Sequence, residues 1–166
     1  MAGNGLRKQL ALDTNLLMNL ADDQGFAHNF REDFQRAGYA LRFSPTVVAE
    51  LVAAELDGDK RERELAKIAL ENVVRWQIRP FDLTSLEQGI AEQFARRMLR
   101  AELLPAEECN DALILAEAST ADIPLLVTSD KHLLDIDEEA LLLLFKAADL
   151  PPVHPVHPVR LLRALR

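Results

Sequence analysis

Short apolar runs alternate along the chain with longer stretches in which apolar residues recur at helical spacing. The runs predict β-strands over residues 9–13, 40–44, 77–83 and 124–130. The cores of the first and last runs, "LAL" and "LLV", are continuously apolar, which is typical of strands covered on both faces. Pro80 weakens the third run to an edge strand or a short strand.

The intervening stretches show the periodicity and the end signals of helices. Phe26, Phe30 and Phe34 recur every four residues, as they would on one face of a helix. Ser44 and Pro45 form a start signal, a capping side chain followed by proline at the first helical position. Helices are therefore predicted over residues 16–23, 26–39, 45–58, 60–76, 84–104 and 105–123, and 131–150 is predicted to be mostly helix or loop.

Strands separated by helices are typical of βαβ units and a parallel sheet. We therefore expect one α/β domain over residues 1–166, a three-layer α/β/α sandwich with a mainly parallel central sheet of four to five strands. A Pro-rich arm and a short closing helix are predicted over 151–166. In such folds ligands bind beyond the carboxyl ends of the strands, so polar residues at that edge are the candidates for chemistry.

The composition of the chain limits the classes of protein to which it can belong. With 49% hydrophobic residues in 166, the chain has the composition of a globular domain. The net charge of −8 argues against a broadly basic protein that coats nucleic acid, but it is compatible with a nuclease that has an acidic site. Cys109 is the only cysteine and cannot close a disulfide within the chain. Because no apolar run has the length of a signal core or a membrane span, we expect a soluble, cytoplasmic protein that does not bind membranes.

Two acids follow strands and invite two interpretations. Asp13 comes directly after "LAL", and Asp130 follows "LLV" by way of "TS". In a parallel sheet both lie at the carboxyl edge. Each carboxylate could simply cap a helix, a role that contributes about 1 kcal/mol. Each could equally belong to a catalytic metal site, and the choice depends on whether further acids share the setting.

Asp111 and Glu50 are such further acids. Asp111 shares a helical stripe with apolar residues three, four and seven positions later, where an unpaired charge is costly. Alternatively the helix starts at Asn110, and Asp111 is a first-turn acid that favours the helix dipole. The predicted start at Pro105 favours the first interpretation. Glu50 borders the buried face of the helix predicted over 45–58.

Four semi-buried carboxylates repel one another unless a cation lies among them. The set comprises Asp13, Glu50, Asp111 and Asp130. Ligands that are all oxygen atoms select hard ions such as Mg²⁺ or Mn²⁺. Such an ion suits hydrolysis of a phosphodiester, because it lowers the pKa of an attacking water.

Four segments that contain these acids resemble, in this order, the signature blocks of the PIN domain family: "LALDTNLLMNL", "SPTVVAELV", "NDALILAEA" and "LLVTSDKHLL". The resemblance extends from Lys8 to about Arg160. It implies an α/β/α fold and a metal-dependent ribonuclease that uses Mg²⁺ or Mn²⁺ on an RNA substrate. Because many bacterial members are VapC-type toxins, it also implies a possible antitoxin partner and a homodimer.

Position by position, the resemblance also assigns roles. It implies that Asp13, Asp111 and Asp130 hold the ion and that Glu50 assists through the metal or a water. Asn15 and Thr128 match the polar residues that orient these side chains. The chain departs from the family pattern at His132, where many toxin members carry a further acid two residues after the one matched by Asp130.

Three other functions compete with the ribonuclease. A phosphatase of the haloacid dehalogenase type needs a second acid two residues after its nucleophilic Asp, and Asn15 occupies that position after Asp13. A receiver-like signalling domain needs paired acids at the first strand, and these are absent from the sequence. A PIN fold that binds RNA or protein without cleavage remains open. The cations of 60–63 and 96–100 fit either RNA contacts or solvated helix faces.

Overall fold

The computed structural model describes residues 8–166, and in them five strands form one sheet in the order β3-β2-β1-β4-β5. Every pair of neighbouring strands is parallel, which confirms the predicted sheet. The strands are β1 (Gln9–Leu12), β2 (Ala40–Phe43), β3 (Ile78–Pro80), β4 (Leu125–Val127) and β5 (His154–Val156).

Helices connect the strands and complete the three-layer α/β/α arrangement. They are α1 (Thr14–Ala21), α2 (Gly25–Arg36), α3 (Pro45–Asp57), α4 (Lys60–Asn72), α5 (Ser85–Arg100), α6 (Cys109–Thr120), α7 (Lys131–Leu134), α8 (Glu138–Ala147) and α9 (Pro158–Leu165). Within residues 8–166, none of them has both the length and the hydropathy needed to cross a bilayer.

Local capping explains where several helices begin. The Ser44 hydroxyl accepts a hydrogen bond from the Val47 amide at 3.3 Å, with Pro45 at the first position, as the sequence predicts. Asp59 and Thr84 each form a capping box with a glutamate three residues later. Each cap satisfies amide groups that would otherwise lack partners at the helix start.

The two central strands, β1 and β4, are the most deeply buried. Leu10, Leu12 and Leu126 are each at most 1% exposed, which confirms that these strands are covered on both faces. Phe30 and Phe34 are buried on α2, as their spacing predicts. This packing fixes the positions of the residues that follow β1 and β4 at the carboxyl edge.

Two predicted elements were wrong in detail. The helix predicted from Pro105 begins only at Cys109, because Pro105 accepts a hydrogen bond from the Glu108 amide in a turn and Glu108 has a non-helical backbone. The predicted Pro-rich arm contains β5, which pairs with β4. Proline is tolerated there because β5 is an edge strand and an outward-facing position needs no amide hydrogen. Pro80 likewise lies in an edge strand, as predicted.

Candidate metal centre

The candidate site lies at the carboxyl ends of β1 and β4. The Asp13 amide donates to the Val127 carbonyl at 2.9 Å, so the residues that follow these two strands begin at the same level of the sheet. Asp13 begins α1, and Asp130 begins α7 after a two-residue connection. The order of the strands therefore brings together two acids that are far apart in the sequence.

Asp13 is held by hydrogen bonds on both of its oxygens. It is 4% exposed; Oδ1 accepts from the Thr14 amide at 2.8 Å, and Oδ2 accepts from the Thr128 hydroxyl at 2.7 Å. The Thr128 hydroxyl in turn accepts from the Asp130 amide at 3.0 Å. Burial raises the pKa of Asp13, the hydrogen bonds from Thr128 and Thr14 oppose that rise, and the charge of Asp130 adds to it.

Asp130 and Asn15 fix the loop that follows β4. The Asp130 Oδ1 atom accepts from the His132 amide at 2.8 Å, which caps α7. Asn15 Oδ1 accepts from the Ser129 amide at 3.5 Å, a long contact that ties α1 to the same loop. Asp13 and Asp130 each cap a helix, as one of the two interpretations predicts, and each also lies near another acid of the set.

Asp111 is the acid with the least favourable surroundings. It is 8% exposed, and its Oδ2 atom is buried without a hydrogen-bond partner among the described residues. Burial raises its pKa to about 8, and the nearby carboxyl groups of Asp13, Asp130 and Glu108 contribute to the rise. Because α6 begins at Cys109, Asp111 is in the first turn, so the mid-helix position predicted for it was wrong and the first-turn alternative is correct.

Glu50 reaches the same cluster from α3. It is half-buried, and Oε1 accepts a hydrogen bond from the Thr14 hydroxyl at 2.9 Å. Burial raises its pKa, the hydrogen bond from Thr14 opposes the rise, and the charges of Asp13, Asp130 and Glu108 add to it. The charges of Asp13 and Asp130 therefore act on both Glu50 and Asp111.

Sequence reasoning missed Thr14 and Glu108. Thr14 connects Asp13 to Glu50 through its amide and its hydroxyl. Glu108 precedes α6 and lies 3.5 Å from the His132 Nε2 atom. Because Glu108 is three residues before Asp111, it could have been identified as a further acid of the site. The helix predicted from Pro105 placed Glu108 inside the helix and not at its start.

The carboxylate side chains of the site provide oxygen ligands, which hard divalent cations prefer. Within residues 8–166, no three His, Cys, Asp or Glu side chains are already positioned to share one ion. Mg²⁺ needs only one or two direct carboxylates, however, and completes its coordination with water and substrate oxygens. The unpaired Asp111 Oδ2 atom is such a donor, and a cation beside it would offset the repulsion from the neighbouring acids. The residues therefore fit an ion bound through few carboxylates.

Solved structures with the same fold come from several bacteria named below. VapBC2 from Rickettsia felis, bound to a DNA fragment from their promoter, is 17% identical, with a TM-score of 0.60 over 90% of this chain and 98% of that chain. VapBC-1 from nontypeable Haemophilus influenzae is 13% identical, with a TM-score of 0.55 over 91% and 98%. FitAcB from Neisseria gonorrhoeae is 20% identical, with a TM-score of 0.51 over 90% and 97%. At these identities the likeness concerns the fold.

A search of curated protein sequences gave no significant match. The family model described as the PIN domain matches residues 10–139. That range extends from β1 into α8 and includes every acid of the cluster described above. The chain therefore belongs to the PIN domain family.

Proposed function

We propose that this protein is a metal-dependent endoribonuclease that hydrolyses RNA phosphodiester bonds with Mg²⁺ or Mn²⁺. PIN domains are generally nucleases and typically depend on a divalent metal. The observation that carries the proposal is the buried, unpaired Asp111 Oδ2 atom, whose carboxyl group is close enough to Asp13, Asp130 and Glu108 for their charges to act on it. A concentration of carboxyl groups that raises the pKa of its own members is relieved either by protonation or by a bound cation, and a cation is the solution that leaves the carboxylates ionised.

In the proposed mechanism, Asp13, Asp111 and Asp130 would hold the ion, in part through its bound waters, and Glu50 would assist directly or through a water. A bound ion would supply the chemistry of lowering the pKa of the attacking water. The polar side chains around the acids position them. Thr128 orients Asp13 and the Asp130 amide, Thr14 orients Glu50, and Asn15 holds the loop before Asp130.

At the position where many members of the family carry a further acid, this chain has His132. The Glu108 side chain lies close to His132 and provides an acid there. The two side chains lie 3.5 Å apart, and Glu108 is half-buried while His132 is exposed. We assign Glu108 a supporting role at the metal, because its charge acts on both Asp111 and Glu50. This assignment predicts that Glu108→Gln weakens activation by Mn²⁺.

RNA cleavage in defined metal conditions tests the proposed function. Purified protein is given single-stranded and structured RNA with Mg²⁺, with Mn²⁺ or with EDTA. We expect cleavage that needs the metal and falls at least about a hundredfold in Asp13→Asn, because the carboxylate is a proposed ligand of the catalytic ion. Asp137→Asn is the matched control, since Asp137 also caps a helix but lies outside the cluster.

Two outcomes would replace the proposal with another function. RNA binding without cleavage, unchanged in Asp13→Asn, would identify a non-catalytic binding module. Release of phosphate from small phosphomonoesters, without RNA cleavage, would identify a phosphatase. Retention of full RNA cleavage in EDTA would contradict the role of the metal.

We further propose that the protein is the toxin of a toxin–antitoxin pair and acts in the cytoplasm. The support is the fold shared with VapBC1- and VapBC2-type complexes. Induced expression should arrest growth, and the product of an adjacent small open reading frame should relieve the arrest. Arrest that also occurs with Asp13→Asn would contradict toxicity by cleavage.

The apolar "ALLLLF" run in α8 supports a proposed homodimer. Leu141 and Phe145 are buried in the core, whereas Leu142 and Leu143 are 40% and 61% exposed. The run is therefore core on one side and apolar surface on the other. Such a surface suits self-association through a twofold axis.

A further inference from the structure

One face of the sheet is polar at β2 and β3, although Ala11 of β1 is buried on the same face. The register aligns Ala11 with Arg42 and Arg42 with Arg79, and side chains of aligned residues in neighbouring strands point to the same side. The opposite face carries Leu10, Leu41 and Ile78, each at most 1% exposed. This half of the sheet therefore has an apolar core on one face, and the other face presents cations at β2 and β3.

A cavity of about 440 Å³ lies on this polar face. Its polar lining consists of Gln9, Gln35, Tyr39, Arg42, Gln77 and Arg79, and none of the described lining residues is acidic. The Lys8 Nζ atom adds a third cation at the rim, 5.5 Å from the centre of the Tyr39 ring. We refer to Lys8, Arg42 and Arg79 as the cation triad.

The two arginines of the triad differ in how they are held. Arg42 donates to the Gln9 side chain at 2.9 Å and to the carbonyls of Pro80 and Arg79 at 3.1 and 3.3 Å. It therefore fastens β2 to the edge strand β3. Arg79 is exposed, and its guanidinium has no hydrogen-bond or ion-pair partner within residues 8–166. Arg79 is free to bind a ligand.

Like charges placed directly opposite each other on neighbouring strands are destabilising. Arg42 and Arg79 are such a pair, and no described carboxylate in the cavity compensates them, although the whole chain carries a net charge of −8. An anion in the cavity would relieve the repulsion. A phosphate group matches the forked donors of arginine especially well.

Within the cation triad, Arg79 lies nearest to the carboxyl edge on β3, whereas Lys8 precedes β1 at its amino end. Arg79 is two strands away from β1 and level with Ala11, two residues before Asp13. With strands about 4.8 Å apart and a rise of about 3.3 Å per residue, the Cα atoms of Arg79 and Asp13 are about 12 Å apart. That distance corresponds to roughly two to four nucleotides of a single strand, depending on how far it is extended.

We propose that the cation triad binds the phosphate backbone of single-stranded RNA, as a second contact outside the metal centre. RNA as the occupant rests on the proposed function, whereas the cavity and its unopposed cations do not. The contact is to phosphates, so it raises affinity without selecting a base sequence. It holds a segment of RNA a few nucleotides away from the phosphodiester bond that is cleaved at the metal centre.

Fluorescence anisotropy tests this contact without cleavage. A fluorescein-labelled oligouridine is titrated with the wild-type chain, Arg79→Ala or Lys146→Ala, all in EDTA. For Arg79→Ala we expect affinity to fall at least about threefold, and the slope of log affinity against log salt to fall by about 0.7, since one phosphate contact is lost. Lys146→Ala removes an exposed cation on α8 and should leave both values unchanged.

The outcomes separate the contact from the proposed catalysis. Unchanged affinity and salt slope in Arg79→Ala overturn the inference, whether or not the protein cleaves RNA. Reduced binding in Arg79→Ala supports it even if the wild-type protein with Mn²⁺ cleaves nothing, in which case only the proposed function fails. Displacement of the RNA by polyglutamate at lower concentration than by unlabelled oligouridine would overturn the assignment to RNA. Because Arg42 bonds to the Arg79 carbonyl and not to its side chain, and because the substitution removes one of two facing cations, Arg79→Ala should melt no lower than wild type.

Discussion

Asp13 and Asp130 each accept a hydrogen bond from the first turn of a following helix, and each also acts on the buried carboxyl of Asp111. A capping bond uses one lone pair of a carboxylate, which leaves others for a cation. The cap therefore fixes the side chain without using up its capacity as a ligand. The helix-cap interpretation is therefore compatible with the proposed metal site and does not exclude it.

The pKa of Asp111 predicts how stability depends on pH in the absence of metal. Its pKa is raised to about 8, above the ordinary value of 3.8 that the unfolded chain should have. The folded state therefore binds more protons between these values, and the metal-free protein loses stability as the pH rises from about 4 to 8. Asp111→Asn removes the charge, so we expect it to melt at least about 3 °C higher than wild type at pH 8, which is about 1 kcal/mol.

Thermal unfolding in EDTA at pH 5 and pH 8 measures this effect. At pH 5 the Asp111 carboxyl is protonated, so the two proteins should melt within about a degree of each other. Mn²⁺ at pH 8 should stabilise wild type and have much less effect on Asp111→Asn. The control is Asp137→Asn, at an exposed cap. A variant that melts below wild type at pH 8 in EDTA would contradict the proposed repulsion.

At the scale of elements, the sequence predicts the strands and caps better than it predicts the start of α6. Pro105 and the two glutamates after it look like a helical first turn, yet the chain makes a separate turn there before Cys109. Local residue preferences cannot distinguish the two, because the burial of Leu104 and the packing of α6 decide the outcome. The strand β5 was missed for a similar reason, since only pairing with β4 makes "HPV" a strand.

The packing of α3 and α5 against α6 depends on a buried acid outside the candidate site. Glu117 is fully buried on α6 and accepts from the Thr46 amide at 3.1 Å, from the Thr46 hydroxyl at 2.9 Å and from Gln88 at 3.1 Å. Thr46 lies one turn before Glu50 on α3. Glu117 therefore fixes the helix that carries Glu50 against the helix that carries Asp111.

Replacing Glu117 should weaken the packing of these three helices and lower the stability of the protein. We expect Glu117→Ala to lower the free energy of unfolding by about 2–4 kcal/mol, because buried donors lose their acceptor and a cavity remains. Glu117→Gln keeps one acceptor oxygen and should cost about 1–2 kcal/mol. Urea denaturation measures both, with Glu92→Ala as the control at an exposed acid on α5. Equal stability of Glu117→Ala and Glu92→Ala would show that the buried bonds contribute nothing net.

At the scale of the whole molecule, the net charge of −8 conceals a separation of charge. Acids converge at the carboxyl ends of β1 and β4, and cations occupy one face of β2 and β3. The order of motifs in the sequence predicts the first concentration, because each acid follows or begins a recognisable element. It does not predict the second, because Lys8, Arg42 and Arg79 become neighbours only through strand register.

The proposed homodimer makes a prediction about the apolar surface of α8. Leu143 is 61% exposed there, and burying a leucine contributes about 1.5–3 kcal/mol. In a twofold dimer the side chain occurs twice, so Leu143→Glu should weaken association by well over tenfold. Multi-angle light scattering after size exclusion should show a dimer for wild type and a monomer for Leu143→Glu at the same concentration.

The matched control is Leu86→Glu, because Leu86 is also exposed, at 74%, and lies on a different helix, α5. It should remain dimeric, because exposure of a single leucine is ordinary and does not by itself mark an interface. A monomeric Leu86→Glu beside a dimeric Leu143→Glu would move the interface to α5. A wild-type monomer at high concentration would contradict the homodimer itself, and it would leave the acids at the carboxyl edge unaffected because all of them come from one chain.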